Sequence, residues 1–329
     1  EYDFFKDKGL HNESIDLGFN HKSGLFVNGG YTRNNHGGWQ GDLTGREKRW
    51  HPKDQALMNG MFGFQNRNMN VWYRLDFLDE KIFGPNNGSE LQPEKVSDKD
   101  FLTKRYTHQL QSDWKLDNRL DVHAALSYQD YKRRTRTTES DLSTGEKWLS
   151  SAEASQDITQ YKAWIARATV AWNIAPEFSV QPGVEYQWTQ GEGGRIDGTP
   201  KVSDLAFFLS AEYKPWEWLS LRPGVRTFIV ADYDAPIAIP SVLTKFKLTK
   251  HMDLRLSYAY GFRSPTLQEL YFSFHNDNHD IDGNPDLKAE YSHNITGSVA
   301  YRVLHSEKIH LTTTLSGFYN DFRDKISLA

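Results

Sequence analysis

The sequence predicts an all-β fold, an antiparallel transmembrane β-barrel. Three observations carry that expectation. Apolar and polar residues alternate with period two in segment after segment. The connections between segments alternate short and long. Aromatic residues gather beside the short connections. Period two places one face of a strand in an apolar medium and the other in water.

About 14 such segments follow one another along the 329 residues: 13–20, 24–33, 55–65, 68–80, 102–114, 118–134, 157–173, 177–190, 203–214, 217–230, 236–248, 251–262, 288–303 and 308–324. In "HMDLRLSYAYGF", Leu254, Leu256, Tyr258, Tyr260 and Phe262 share one face, and Asp253, Arg255, Ser257 and Ala259 the other. In "NRLDVHAALSYQ", Leu120, Val122, Ala124, Leu126 and Tyr128 oppose Arg119, Asp121, His123, Ala125, Ser127 and Gln129. "SDLAFFLSAEYK" follows the rule except at Phe208. Many segments exceed the ~5–6 residues of a globular strand and match the ~9–11 that cross a bilayer at a tilt. A soluble sandwich or propeller calls for shorter strands or a blade-length repeat.

The short connections are "NHKSG", "QNRN", "KLDN", "NIAPE", "KPWE", "LTKH" and "LHSEK". The longer ones are 34–54, 81–101, 135–156, 191–202, a modest one near 231–235, and 263–287. Tight turns at one end and long loops at the other are the plan of an outer-membrane barrel. Phe19, Trp114, Trp172, Phe178, Tyr213, Trp216 and Trp218 all stand beside short turns, where a membrane interface accommodates a ring with a polar tip.

Composition narrows the class. The formal net charge is −4 and there is no cysteine, which argues against a nucleic-acid partner and excludes disulfides and thiolate metal sites. Mean hydropathy is −0.70 and no apolar run reaches the ~18–20 residues of a membrane helix, which leaves a lipid-embedded barrel open. The first residues, "EYDFFKDKGLHNES", lack the plan of a signal peptide, so the chain reads as a mature form or an internal piece.

Two motifs bracket the longest polar connection. Phe262-Arg263-Ser264-Pro265 closes one strand and Asn284-Pro285-Asp286-Leu287 opens the next. With "SLRPGVR" (220–226) and the stretches 240–271 and 283–301, they resemble the C-terminal half of the barrel in TonB-dependent outer-membrane receptors. "NVWYRLDFLDEKI" (70–82) resembles the Bacteroidetes branch more loosely. The resemblance implies a barrel of about 22 strands with an N-terminal plug in the outer membrane of a Gram-negative bacterium. It implies uptake of haem, a ferric siderophore or cobalamin, driven by the TonB–ExbB–ExbD complex, in some cases with a surface lipoprotein. On that footing residues 1–329 are an internal part of the barrel domain, without plug and last strands.

The resemblance implies a ligand site in the bracketed loop. Paired motifs of this kind with a histidine between them characterise the haem receptors of the family, and His275 and His279 lie between them here. Imidazole is a good axial ligand for haem iron and is largely neutral near pH 7. Arg263 and Asn278 stand as further ligand-contact candidates. Read as chemistry alone, Pro265 ends a ladder because it lacks a donor, and Asn284 before proline restarts an extended chain. Asn278, Asp280, Asp282 and Gly283 spell the start of a calcium loop, but its twelfth position is Ala289, with Glu290 one step late. Calcium that orders an external loop belongs to the cobalamin receptors of the family. The bland reading is a polar loop with Asn and Asp turns.

Weaker signals remain. "YKRRTRTT" (131–138) could meet an anionic ligand or lipid phosphates, though most such runs are simply solvated. "GEGGRIDGTP" (191–200) reads as a flexible loop, and "NNHGGW" (34–39) as the edge of a ligand platform. His36, His51 and His108 read as solvated histidines. No cofactor is required, and the expectation is a transporter rather than an enzyme. A passive porin or a barrel hydrolase is the alternative, and no defensible nucleophile–base spacing supports the hydrolase.

Overall fold

The computed structural model describes residues 9–152, 155–231, 235–276, 279–305 and 309–327. Its elements begin with β1 (Leu10–Asn20), β2 (Leu25–His36), β3 (Lys53–Gln65), β4 (Met69–Gly84), β5 (Lys95–Lys115), β6 (Leu120–Asp141), β7 (Lys147–Leu149), β8 (Ile158–Ala175) and β9 (Phe178–Glu192). They continue with β10 (Lys201–Trp216), β11 (Leu219–Ala231), β12 (Ile239–Lys247), β13 (Met252–Arg263), α1 (Leu267–Tyr271), β14 (Ser273–Asn276), β15 (His279–Asp282), β16 (Glu290–His305) and β17 (His310–Arg323). Among the described residues, β1 to β6, β8 to β13, β16 and β17 pair in chain order as one antiparallel meander, one wall strand for each expected segment. β7 adds to β6, and β14–β15 form a separate ribbon. Among the described residues β1 and β17 do not meet, so the wall is an open arc.

The short turns follow from local chemistry. In the first, Gly24 takes φ +95° and donates to His21 O at 3.0 Å. A Cβ there would lie 2.0 Å from Gln65 O, so no side chain fits. At 116–120, Asp117 Oδ1 accepts from the backbone N–H of Arg119 and Leu120. At the other end strands outrun expectation: β5 and β6 span 21 and 22 residues. The expected loops 81–101 and 135–156 therefore shrink to 85–94 and to a stretch after Asp141 that contains β7. Above a bilayer neither face meets lipid, so period two fades while pairing continues.

Burial is inverted relative to a soluble protein. Among the described residues the buried hydrophobic set is small, and buried polar residues include Asp100, Thr103, Glu185 and Asp253. One row in register across the outer face reads Phe19, Val27, Phe62, Tyr73, Leu110, Leu126, Ala166, Tyr186 and Leu205. Phe19 and Phe62 in this row are 61% and 60% exposed, as lipid contact requires. Near the short turns Trp216 and Trp218 stack with centroids 5.2 Å apart, and Phe246 extends the stack.

The inner face carries ion pairs instead. Glu185 holds Arg226 at 2.7 Å and Arg167 at 3.5 Å, and Asp253 holds Arg302 at 3.1 Å and Lys245 at 3.4 Å. His108 departs from the expectation of a solvated histidine. It sits inside β5, its Nδ1 2.6 Å from Tyr73 OH and its ring against Tyr128. A polar ring on a wall strand needs such a partner.

Candidate functional site

The segment from Ser264 to Ala289 is more ordered than its polar composition suggests. Thr266 caps α1: its Oγ1 accepts from Glu269 N at 3.2 Å, and Glu269 Oε2 accepts from Thr266 N at 2.7 Å, a closed capping box. The two leucines of the helix, Leu267 and Leu270, are 6% and 2% exposed and anchor it. Gly283 N donates to Phe272 O at 2.6 Å and Asn284 N to Glu269 O at 2.9 Å, which closes the ribbon back onto the helix. The segment is also tied to β8 and to the β9–β10 connection. Gln268 Nε2 donates to Tyr161 OH at 2.8 Å, Ser273 N to Arg195 O at 3.1 Å, and Asp197 N to Tyr271 O at 3.0 Å. It therefore folds across the inner wall rather than standing outward.

One charge in the first motif joins the two strands that the segment connects. Arg263 ends β13, and Glu290, its register partner, begins β16. The guanidinium grips Glu290 through Nε at 2.7 Å and Nη2 at 2.9 Å, and Glu269 through Nη1 at 2.9 Å and Nη2 at 3.1 Å. Two forked pairs on one arginine make a strong charge-assisted junction. Arg263, expected among the ligand contacts, is thus committed to two carboxylates. Pro265 is buried behind it, Phe262 packs its ring 5.0 Å from Phe228, and the chain leaves the wall at Ser264. Asn284 Oδ1 accepts from Asp286 N at 2.9 Å and Asn284 O from Leu287 N at 3.2 Å, so the second motif is a turn that launches β16.

Glu269 is held below the ordinary glutamate range. Partial burial pushes its carboxyl up, but donation from Arg263 and from Thr266 outweighs that.

The ribbon places His275 opposite Asp280 and His279 opposite Asn276. The histidines thus share one ribbon on separate rungs. Asn278 and the side chains of His275, His279 and Asp280 lie outside the described residues. Residues 279–282 are extended. A calcium loop instead coils its oxygens around a centre, whereas a strand spaces alternate residues about 6.7 Å apart. Among the described residues no three His, Asp or Glu gather to hold a metal ion.

Between this segment and the wall lies a cavity of ≈ 660 Å³. β5, β6 and β8 contribute alternate inward residues, including Phe101, Arg133 and Tyr161, while Arg195 from the β9–β10 connection and Phe274 from β14 close it. The run 131–138 is therefore no merely solvated tail. Tyr131, Arg133, Thr135 and Thr137 face the cavity in period two, and Lys132 and Arg134 are exposed. Nor is 191–200 only a linker, since Arg195 and Ile196 line the same space. The alternation of "YKRRTRTT" was the available signal, masked by its charge.

A meander with an apolar exterior, a charged interior and a cavity at one crowded end defines the wall of a membrane β-barrel. Comparison with known proteins agrees. The family described as "TonB dependent receptor-like, beta-barrel" matches residues 2–329, and the chain belongs to it. A haemoglobin and haemoglobin-haptoglobin-binding protein C of Haemophilus influenzae is 39% identical over 80 residues, which are 24% of this chain and 7% of that protein. A haemoglobin and haemoglobin-haptoglobin-binding protein of Haemophilus ducreyi is 38% identical over 78 residues, 24% of this chain and 8% of that one. Among solved structures, the siderophore receptor PirA of Pseudomonas aeruginosa superposes with a TM-score of 0.71 at 13% identity, covering 96% of this chain and 53% of its own. The copper transporter OprC superposes with a TM-score of 0.67 at 13% identity, over 97% and 52%. This chain thus spans about half the length of those structures.

Proposed function

We propose that this chain forms part of the barrel of an outer-membrane importer for a large iron-bearing nutrient, with haem as the first cargo. The observation that carries the reading is the ribbon with His275 and His279, held beside a cavity at the inner wall by the tied 264–289 segment. One imidazole from this ribbon supplies an axial ligand to haem iron, and a plug in the same protein supplies the opposing contact. The haemoglobin-binding relatives support that choice. Energy comes from the TonB–ExbB–ExbD complex, and a surface lipoprotein delivers the cargo. No catalytic step is assigned. A ferric siderophore is the second reading, favoured by the siderophore receptors among the structures of the same fold.

The test is spectroscopic. Haem added to the intact protein in detergent gives a low-spin absorbance band, and His275→Ala or His279→Ala removes it. An unchanged band in both variants rules out ligation from this ribbon.

A further inference from the structure

Three cations line the mouth cavity: Lys99, Arg133 and Arg195. None of them makes an ion pair among the described residues. Other cations near this end do: Arg136 and Lys81 share Asp100, and Arg46, from the β2–β3 connection, grips Asp98 with both terminal nitrogens. The cavity's carboxylate, Asp157, is already committed. It accepts from Gly194 N at 2.6 Å and from Thr159 Oγ1 at 2.8 Å. A second observation points the same way. Thr137 is 3% exposed, lines the cavity, and its hydroxyl has no partner, and Arg133 Nε is buried without one. Buried polar atoms are ordinarily satisfied, so these two leave hydrogen-bonding capacity unspent in the cavity's wall.

The cavity also offers flat faces. The Arg133 guanidinium lies 4.5 Å from the Phe101 ring centre, and that of Arg195 lies 4.1 Å from Phe274. Stacking sets the plane of a guanidinium and leaves its edge donors available. The rings of Tyr131 and Tyr161 stand 6.3 Å apart along the same wall.

We propose that this cavity binds the anionic edge of a planar ring-bearing ligand, with Arg133 and Arg195 donating to its oxyanions while the neighbouring rings cover its face. The proposal rests on the importer reading and adds the chemistry by which the cargo is held. Lys99 strengthens the field of the cavity. Two sources carry the required chemistry: a porphyrin with its carboxylates, and a ferric chelate of ring-borne oxygens.

The intact protein in detergent, wild type and Arg133→Gln/Arg195→Gln, is titrated with haem, iron-free protoporphyrin, protoporphyrin dimethyl ester and a ferric tris-catecholate, with tryptophan quenching as readout. Both arginines are at least partly accessible and lack ion-pair partners, so the variant keeps the heat-modifiable gel mobility of the folded barrel. Iron-free protoporphyrin binds the variant at least about tenfold more weakly, as for loss of charge-assisted hydrogen bonds. The ester binds wild type as weakly as the free acid binds the variant. Because iron-free porphyrin has no axial bond, this arm reads the anion site alone. If it binds as expected while the low-spin haem band ignores both histidine variants, the axial-ligand idea fails and the anion site stands. Tris-catecholate binding that falls in the variant, with no porphyrin bound, supports the site and assigns it to the second source. Equal affinity of wild type and variant for every probe, or no binding of any probe by wild type, overturns the proposal.

Discussion

Phe208 stands on the inner side of β10, where its neighbours are polar, and the reason lies one strand away. It pairs with Gly183, and a Cβ at that glycine would lie 2.2 Å from the Phe208 ring, so the ring occupies the place of the missing side chain. Arg167 covers the other side of the ring, 4.8 Å from its centre. An apolar ring on a wet wall is thereby sealed between backbone and a cation. Gly183→Val should expel it and cost about 1–3 kcal/mol, as overpacking does. A lower midpoint of heat-induced mobility shift on a gel is the expected sign, and an unchanged midpoint would show that the ring is not confined. This irregularity was visible in the sequence as a broken alternation at Phe208. Its explanation was not, because nothing local says which glycine sits opposite.

At the level of elements, the wall strands were legible and the mouth was not. Period two reports a boundary between two media, so it located every wall strand and lost β5 and β6 where they rise clear of that boundary. The 264–289 segment read as polar because its two buried leucines sit on only five residues of helix, too few to show a helical period. What shapes it is Arg263, Glu269 and Glu290, whose meeting depends on three separate elements. The bracketing motifs marked where the wall is left and rejoined, but gave no hint that Arg263 is fully engaged. The clamp also has a pH signature. Glu269 is depressed in the folded chain, so its contribution is complete above the ordinary glutamate value of about 4.3 and fades as pH falls through the lowered one. Proteolytic cleavage of 264–289 should therefore stay constant from pH 8 to pH 5 and rise only below about pH 4. A rise between pH 7 and pH 6 would assign the segment's order to another group.

For the whole molecule, the two faces answer to different solvents, and substitutions should show it. Leu126 lies in the outer apolar row and is 40% exposed, while Ser127 beside it faces inward. Leu126→Arg should cost about 2–4 kcal/mol in a bilayer, and Ser127→Arg far less. Refolding into lipid vesicles in urea measures both, and equal losses would contradict the assignment of faces. One further consequence concerns the order of assembly. Among the described residues every pairing in the wall joins consecutive wall strands, with only β7 or the mouth segment between any two, so the meander grows by adding one neighbour at a time. The mouth obeys another rule, because Gln268 meets Tyr161 across 107 residues of sequence. That contact must wait until the strands between them have joined the wall, since closing a long loop early is entropically unfavourable. The mouth is then the last region to be completed, and a nascent chain passes through a stage with these wall strands paired and the mouth still unformed.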